Sequence, residues 1–292
     1  MADRARRPRR GGHRGRGGLR ALRLGDLDVV AGYEADEMAS SGRGQVLVPW
    51  PNRLRDGRYE IDGTTHELPI TEQETGNASH GLTRWEGWRL RERHDDAVVV
   101  SHTIHPRPGW PFHVEVVVAW VLDGSGLTCT TQATNVGDAV APWGYGAHPY
   151  LALAGTPAAQ ARVRVPAARV LLVDDRMLPA DLVEVGGTPS TCATASRSAS
   201  ATSTTPTPTS SGARTAAGRS RWPRTGSSAG WGGPGLDWVQ VFTGKARDEG
   251  TPGVAVEPLS CPADAYNTGV GLVRLEPGQT WTAQWGLEAQ RV

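Results

Sequence analysis

Three stretches of the chain carry side chains suited to proton transfer. Glu257 lies in VAVEPLSCPADAYNTG, directly after an alternating apolar run and directly before Pro258. That setting predicts a strand end rather than a solvated charge cluster. A carboxylate drawn partly out of water has a raised pKa and makes a better general base; the plainer role is a strand-terminal glutamate bonding a nearby turn. His80 stands beside Gly81 in GNASHGL, and His148 precedes a proline among aromatic residues in WGYGAHPYL. An imidazole can give or take a proton near neutral pH, although a lone histidine more often packs or faces solvent. The other histidines, His13, His66, His94, His102, His105 and His113, lack a comparably rigid setting and read as surface or structural residues.

Arg53 follows Asn52 in PWPNRLRDGRY. Its guanidinium offers a planar fork of donors shaped for vicinal hydroxyls, with a surface ion pair as the competing role. Two histidines and a carboxylate also suit a metal triad, but no H-x-H or H-E-x-x-H spacing ties them together. The chain has no dinucleotide glycine fingerprint, no phosphate-cradling Walker sequence and no G-x-S-x-G elbow. Acid–base chemistry without cofactor or metal is the economical expectation.

The elements that must hold these residues are strands. GRYEIDGTTHELP sets Asp62-Gly63 between two short extended segments, a hairpin signal, and HVEVVVAWVLDGSGLTCTTQATNVG repeats the device with a Val-rich strand, a glycine turn and a second alternating strand. LDWVQVFTG, GVAVEPLS and GLVRLEPGQTWTAQWGLEAQ continue in the same manner, and long helical periodicity is absent. The fold class is therefore all-β. Eleven tryptophans suit a large sheet core with some left for a carbohydrate-stacking surface.

Composition bounds the partners. A net charge of +1, from 31 basic and 30 acidic side chains, creates no field to draw the protein to nucleic acid or an anionic membrane. Cys129, Cys192 and Cys261 are too few and scattered for a disulfide framework, which predicts a reducing, cytoplasmic setting. Residues 1–17 form a basic run with no apolar stretch behind it and read as a disordered or misassigned N-terminus. Residues 18–292 read as a single domain.

One segment breaks this pattern. From Val185 to Leu236 there is no acidic residue and, apart from those two ends, no Leu, Ile, Val or Phe. Such a composition cannot supply a buried strand face and implies disorder. Residues 188–235 are therefore expected to be aberrant or disordered within the domain, poorly packed and with little regular strand.

Taken in order, GRGQVLVPWPNRLRDGRYEIDGTTHELPITEQETGNASHGLTRW, WGYGAHPYL, WVQVFTG and VAVEPLSCPADAYNTG resemble the motifs of the aldose 1-epimerase family, the galactose mutarotase-like enzymes. The resemblance covers Gly18 to about Gly187 and again Leu236 to Glu288. It implies a large antiparallel β-supersandwich that needs no cofactor, acting on a free monosaccharide as a monomer or homodimer. By the same resemblance Arg53 binds substrate, with Asn52 beside it, and His80 is the first active-site histidine. His148 is the general acid on the ring oxygen, Gln240 contacts sugar hydroxyls, and Glu257 is the general base on the anomeric hydroxyl.

The family's aspartate in an L-D-x-A-Y-like stretch is absent between His148 and Gln240. With third bases chosen freely, a shifted reading of the codons for Ser190 to Ser210 yields DLRDGFALGERDLDHAYADL, which resembles that stretch and puts the aspartate near the Ser203/Thr204 junction. The low-complexity segment thus reads as frame-shifted rather than as a linker. Three rival functions stand beside mutarotation of galactose or glucose. They are a hexose-6-phosphate 1-epimerase using Arg55 and Arg84, a carbohydrate-binding or inactive protein lacking the aspartate, and a metal-dependent sugar isomerase or lyase.

Overall fold

The computed structural model describes residues 16–153, 163–165, 167–184, 191–192, 199–202, 218–219, 226–232, 235–243 and 253–290. Two large antiparallel sheets dominate. The first has seven strands, running from Gly218–Arg219 through Gly226–Gly232, Thr280–Gln290, Gly126–Asn135, Val114–Asp123 and Ala97–Ile104 to Arg89–Arg93. The second has eight, running from Pro179–Glu184 through Arg169–Val173, Ala199–Thr202, Trp238–Phe242, Gly253–Leu259 and Gly146–Ala147 to Val46–Leu47, with Tyr150–Ala152 also paired to Gly253–Leu259. The described helix is a single turn, Ala265–Thr268, and no described helix is long and apolar enough to cross a membrane.

Local sequence accounts for the hairpins. In Val114–Asp123, Val114, Val116 and Val118 are fully buried while Glu115, Val117 and Ala119 between them are only partly covered, the period-two alternation of a strand with one core face. Ile61 pairs with Thr64 across Asp62 and Gly63, whose φ angles are +51° and +74°. That is the left-handed pair a two-residue turn requires. Trp88, Trp110 and Trp143 are among the largest fully buried side chains, so the aromatic content goes chiefly into the core.

Two expectations need revision. Glu257 sits inside the strand Gly253–Leu259, two residues from its end, and every residue of that strand is buried. The strand runs on through Pro258, whose missing N–H would have suggested termination. Within 188–235 the described residues other than Gly235 form strands. Thr191–Cys192 pairs with Val163–Arg164, Ala199–Thr202 inserts between Arg169–Val173 and Trp238–Phe242, and Gly226–Gly232 lines up along Thr280–Gln290. A ladder needs only backbone N–H and C=O groups, which Ala, Ser, Thr and Gly carry as well as any residue. The remainder of 188–235, with the Ser203/Thr204 junction, lies outside the described residues, as do residues 1–15.

Candidate active site

One cavity of about 680 Å³ takes in all six residues singled out above: Asn52, Arg53, His80, His148, Gln240 and Glu257. Gln240 and Glu257 are direct partners across the antiparallel pair Trp238–Phe242 and Gly253–Leu259, so their side chains leave the same face of the sheet. His148 lies between the short strands Gly146–Ala147 and Tyr150–Ala152, both hydrogen-bonded to the strand of Glu257. The second sheet thereby fixes three of the six residues.

Asn52 and His80 flank a smaller ladder, in which Arg53–Arg55 pairs with Asn77–Ser79. Both have left-handed backbones, with φ of +56° and +62°, a region that side-chain-bearing residues seldom occupy. Two hydrogen bonds close this corner: His80 N–H donates to the Asn52 carbonyl at 2.7 Å, and Asn52 N–H donates to His80 Nδ1 at 3.1 Å. With Nδ1 accepting, the proton of the neutral imidazole sits on Nε2. Burial first, then the charges of His148, Arg84 and Arg53, hold the His80 pKa well below its ordinary value.

The centre of the site is a contact of 3.3 Å between His148 Nε2 and Glu257 Oε1, both side chains almost wholly buried. Burial lifts the Glu257 pKa to about 8, with the Arg53 charge acting in the opposite sense. Burial also drives His148 down to about 3, helped by the charges of Arg84 and Arg53 and opposed by the polar groups of its own backbone. These directions make the contact one between a carboxylic acid and a neutral imidazole near pH 7, with one proton for the pair, rather than an ion pair. Glu257 Oε2 and His148 Nδ1 are buried without a hydrogen-bond partner among the described residues. Unmet polar atoms of this kind are expensive in a protein interior unless a ligand or water meets them.

Packing sets the angle of the His148 ring. It stacks on Tyr150 at 5.2 Å and 9°, and meets the His80 ring edge-on at 5.4 Å and 76°. On another side Gly42, at φ +76°, approaches so closely that a Cβ there would lie 2.7 Å from His148 Cδ2. Glycine at that position is a requirement of the ring.

Arg53 is held in turn. Its Nε and one terminal nitrogen donate to the two carboxylate oxygens of Glu72 at 2.6 and 2.9 Å, and the other terminal nitrogen donates to Asn52 Oδ1 at 3.1 Å. Asn52 Nδ2 donates to Gln240 Oε1 at 3.2 Å, which links two sides of the cavity through residues 188 apart in the chain. The Thr75 hydroxyl also donates to Glu72. Arg53 keeps one N–H on each terminal nitrogen for a ligand, the fork being oriented by a bidentate carboxylate.

Sequence reasoning missed Glu72 as the residue that orients Arg53. A signal was present in the acidic ITEQETGNASHGL preceding His80, but nothing local says which carboxylate turns inward. No tryptophan lines the cavity, and apart from the histidines the aromatic ring among its described walls is that of Phe242. Arg55, proposed for a phosphate pocket, pairs instead with buried Asp264 at 3.1 Å and is not part of the lining. Among the described residues no three His, Cys, Asp or Glu side chains gather as a metal-ligand set.

A family model described as aldose 1-epimerase matches residues 17–288. The Escherichia coli (strain K12) protein YihR is 31% identical over 281 residues, covering 94% of this chain and 88% of that protein. Among solved structures, a galactose mutarotase-like protein from Clostridium acetobutylicum superposes with a TM-score of 0.79 at 16% identity, covering 96% of this chain and 91% of the other. A GalM/aldose epimerase homologue from C. elegans gives 0.77 at 18% identity, over 91% and 89%. The all-β sandwich is thus the galactose mutarotase-like fold.

Proposed function

Because the chain belongs to the aldose 1-epimerase family, we propose that it interconverts the α and β anomers of an aldohexopyranose, galactose or glucose being the simplest cases, by opening and reclosing the ring. The observation that carries this reading is the 3.3 Å separation of His148 Nε2 and Glu257 Oε1 in a shared cavity. Anomerisation moves one proton off the C1 hydroxyl and one proton onto the ring oxygen. Those two oxygens are bonded to the same carbon, so the acid and base must be close neighbours, as these two groups are.

Glu257 as carboxylate takes the proton from the C1 hydroxyl while His148 as imidazolium gives its proton to the ring oxygen. The C1–O5 bond breaks and the C1–O1 bond becomes a carbonyl. Rotation about C1–C2 presents the other face, and reclosure runs the same transfers backwards. After opening, Glu257 holds the proton and His148 is neutral, which is also the protonation state that burial favours. The site therefore rests in the form that matches the open-chain aldehyde. His80 Nε2–H and the remaining N–H groups of Arg53 serve as donors to the ring oxygen and hydroxyls, with Gln240 and Asn52 completing the polar wall.

Polarimetry tests the reading. Freshly dissolved α-D-glucose or α-D-galactose should lose optical rotation faster with the protein than without it, with neither metal nor nucleotide added. His148→Asn should reduce that acceleration by roughly 10²- to 10⁴-fold, the usual worth of a positioned proton-transfer group. A folded protein that accelerates no aldose would sink the proposal, and sugar binding without anomer exchange would support the binding-protein alternative.

A further inference from the structure

The cavity lining is polar from Asn52 and Arg53 round through Arg84 to Glu257, and its apolar members are Val173, Met177 and Phe242, each half-buried. The second sheet brings these three together. Leu171 and Gln240 stand level through Ser200, and the strands that carry them run parallel to each other. Two residues farther on, Val173 and Phe242 therefore reach the same end of the sheet. Met177 belongs to the turn that joins Arg169–Val173 to Pro179–Glu184. A pyranose ring presents C–H groups on its faces, and an apolar wall is what covers them.

That turn is tightly bound from within. Asp174 Oδ1 accepts the N–H groups of Arg176 and Leu178 at 2.9 Å each, Asp174 N–H donates to the Leu178 carbonyl at 2.9 Å, and Met177 N–H donates to the Asp174 carbonyl at 2.9 Å. The result leaves Met177 at φ +61°, a conformation that a side-chain-bearing residue keeps only where its surroundings over-determine it. Arg176 supplies the restraint from outside. Its Nε donates to the Thr75 carbonyl at 2.9 Å, and one terminal nitrogen serves Asp56 Oδ1 at 2.6 Å, the Gly76 carbonyl at 3.1 Å and Asn77 Oδ1 at 3.3 Å. Wholly buried Asn77 donates back from Nδ2 to the Arg176 carbonyl at 2.9 Å. The ion pair with Asp56 is open to water, the two side chains being 39% and 61% exposed, and adds little. Direction comes from the carbonyl and amide acceptors, which a planar fork can serve together.

These bonds tie together two walls of the cavity that lie 101 residues apart in the chain at Thr75. Thr75 carries the tie onward, since its hydroxyl donates to the Glu72 carboxylate that grips Arg53. Arg176 itself is not part of the lining, and the acid–base scheme gives it no step. We propose that Arg176 is a positioning residue for sugar binding. It holds the turn so that Met177, with Val173 and Phe242, covers the C–H groups of the ring, and through Thr75 and Glu72 it braces the Arg53 fork that meets the hydroxyls. This rests on the epimerase reading of the cavity.

The test follows anomer exchange of glucose and galactose by polarimetry for wild type, Arg176→Ala, Arg176→Lys and Met177→Gly, with a urea midpoint for each. Arg176→Ala should raise KM roughly tenfold and leave kcat within about threefold, the mark of lost binding rather than lost chemistry. Arg176→Lys keeps the charge without the fork and should raise KM nearly as much; full recovery by lysine would assign the effect to charge and overturn the staple. Met177→Gly removes the side chain where a glycine backbone is at ease, so KM should rise about fivefold or more with the urea midpoint kept. Exchange with KM unmoved in Arg176→Ala, whatever happens to its midpoint, would leave Arg176 a merely structural residue and overturn the inference while the epimerase reading stands. If Arg176→Ala does not fold, Met177→Gly decides, an unchanged KM overturning the inference. If no sugar exchanges, the epimerase reading has failed, and calorimetric binding of glucose and galactose then decides the rest. Weaker binding by the variants than by wild type upholds the role of Arg176, and equal or absent binding overturns it.

Discussion

Replacing Glu257 by glutamine probes the burial of the carboxyl and its chemistry in one variant. Burial raises the carboxyl pKa from 4.5 to about 8. Because the folded value lies above the unfolded one, the stability tied to the bound proton is complete below about pH 4.5 and is lost as pH rises toward 8. Each unit in that window removes about 1.4 kcal/mol, and the whole interval sets a ceiling of about 5 kcal/mol, lowered by proton sharing with His148. Glutamine keeps the shape and cannot ionise. Between pH 5 and pH 8 the unfolding free energy of Glu257→Gln should therefore rise relative to wild type by a few kcal/mol, while turnover falls roughly 10²- to 10⁴-fold. Urea titrations at four pH values, with polarimetry on the same samples, measure both. A stability difference that stays constant across the window would refute the burial argument, and unchanged turnover would refute Glu257 as the base.

The same pair governs the pH–rate profile. One proton is retained between about pH 3 and pH 8, so kcat/KM should hold through neutrality and fall about tenfold per unit above pH 8; an inflection at an ordinary carboxylate value would contradict this. Gly42→Ala places a methyl group 2.7 Å from His148 Cδ2 at φ +76°, and should lower kcat by roughly tenfold or more, since small displacements of a positioned group are costly; a crystal structure showing the ring unmoved with normal turnover would exclude that packing role. Glu72→Ala frees the Arg53 fork and should raise KM more than it lowers kcat, measurable in steady-state kinetics. A frame-restored version of residues 190–210 should unfold at higher urea and bind sugar more tightly than the chain as written, and restoring the stretch with Asn at the recovered aspartate would separate lost packing from the lost side chain.

Local patterns disclosed the strands well where one face is buried, as in the valines of Val114–Asp123, and where a turn demands left-handed residues, as at Asp62-Gly63. They could not disclose sheet order. The contact of Asn52 with Gln240 spans 188 residues and depends on how two separate ladders meet, which no local period encodes. The six candidate residues that share the cavity stand out as types in motifs, but the neighbours that aim them do not. Glu72 and Gly42 look like ordinary surface and turn residues until Arg53 and His148 are seen to lean on them. Composition misjudged Ala199–Thr202 because it measures burial of side chains, whereas insertion between two strands is carried by the backbone.

The left-handed backbones of Asn52 and His80 set folding and turnover against each other at the same two positions. Glycine at either site would relieve a cost of order 1 kcal/mol, so a purely stability-driven search over sequences would discard the histidine proposed to face the substrate. Under the proposed function, the part this corner plays in the reaction is what opposes that relief. In a lineage no longer held to catalysis, these positions would be expected to relax to glycine ahead of the buried tryptophans, whose loss would unmake the fold itself.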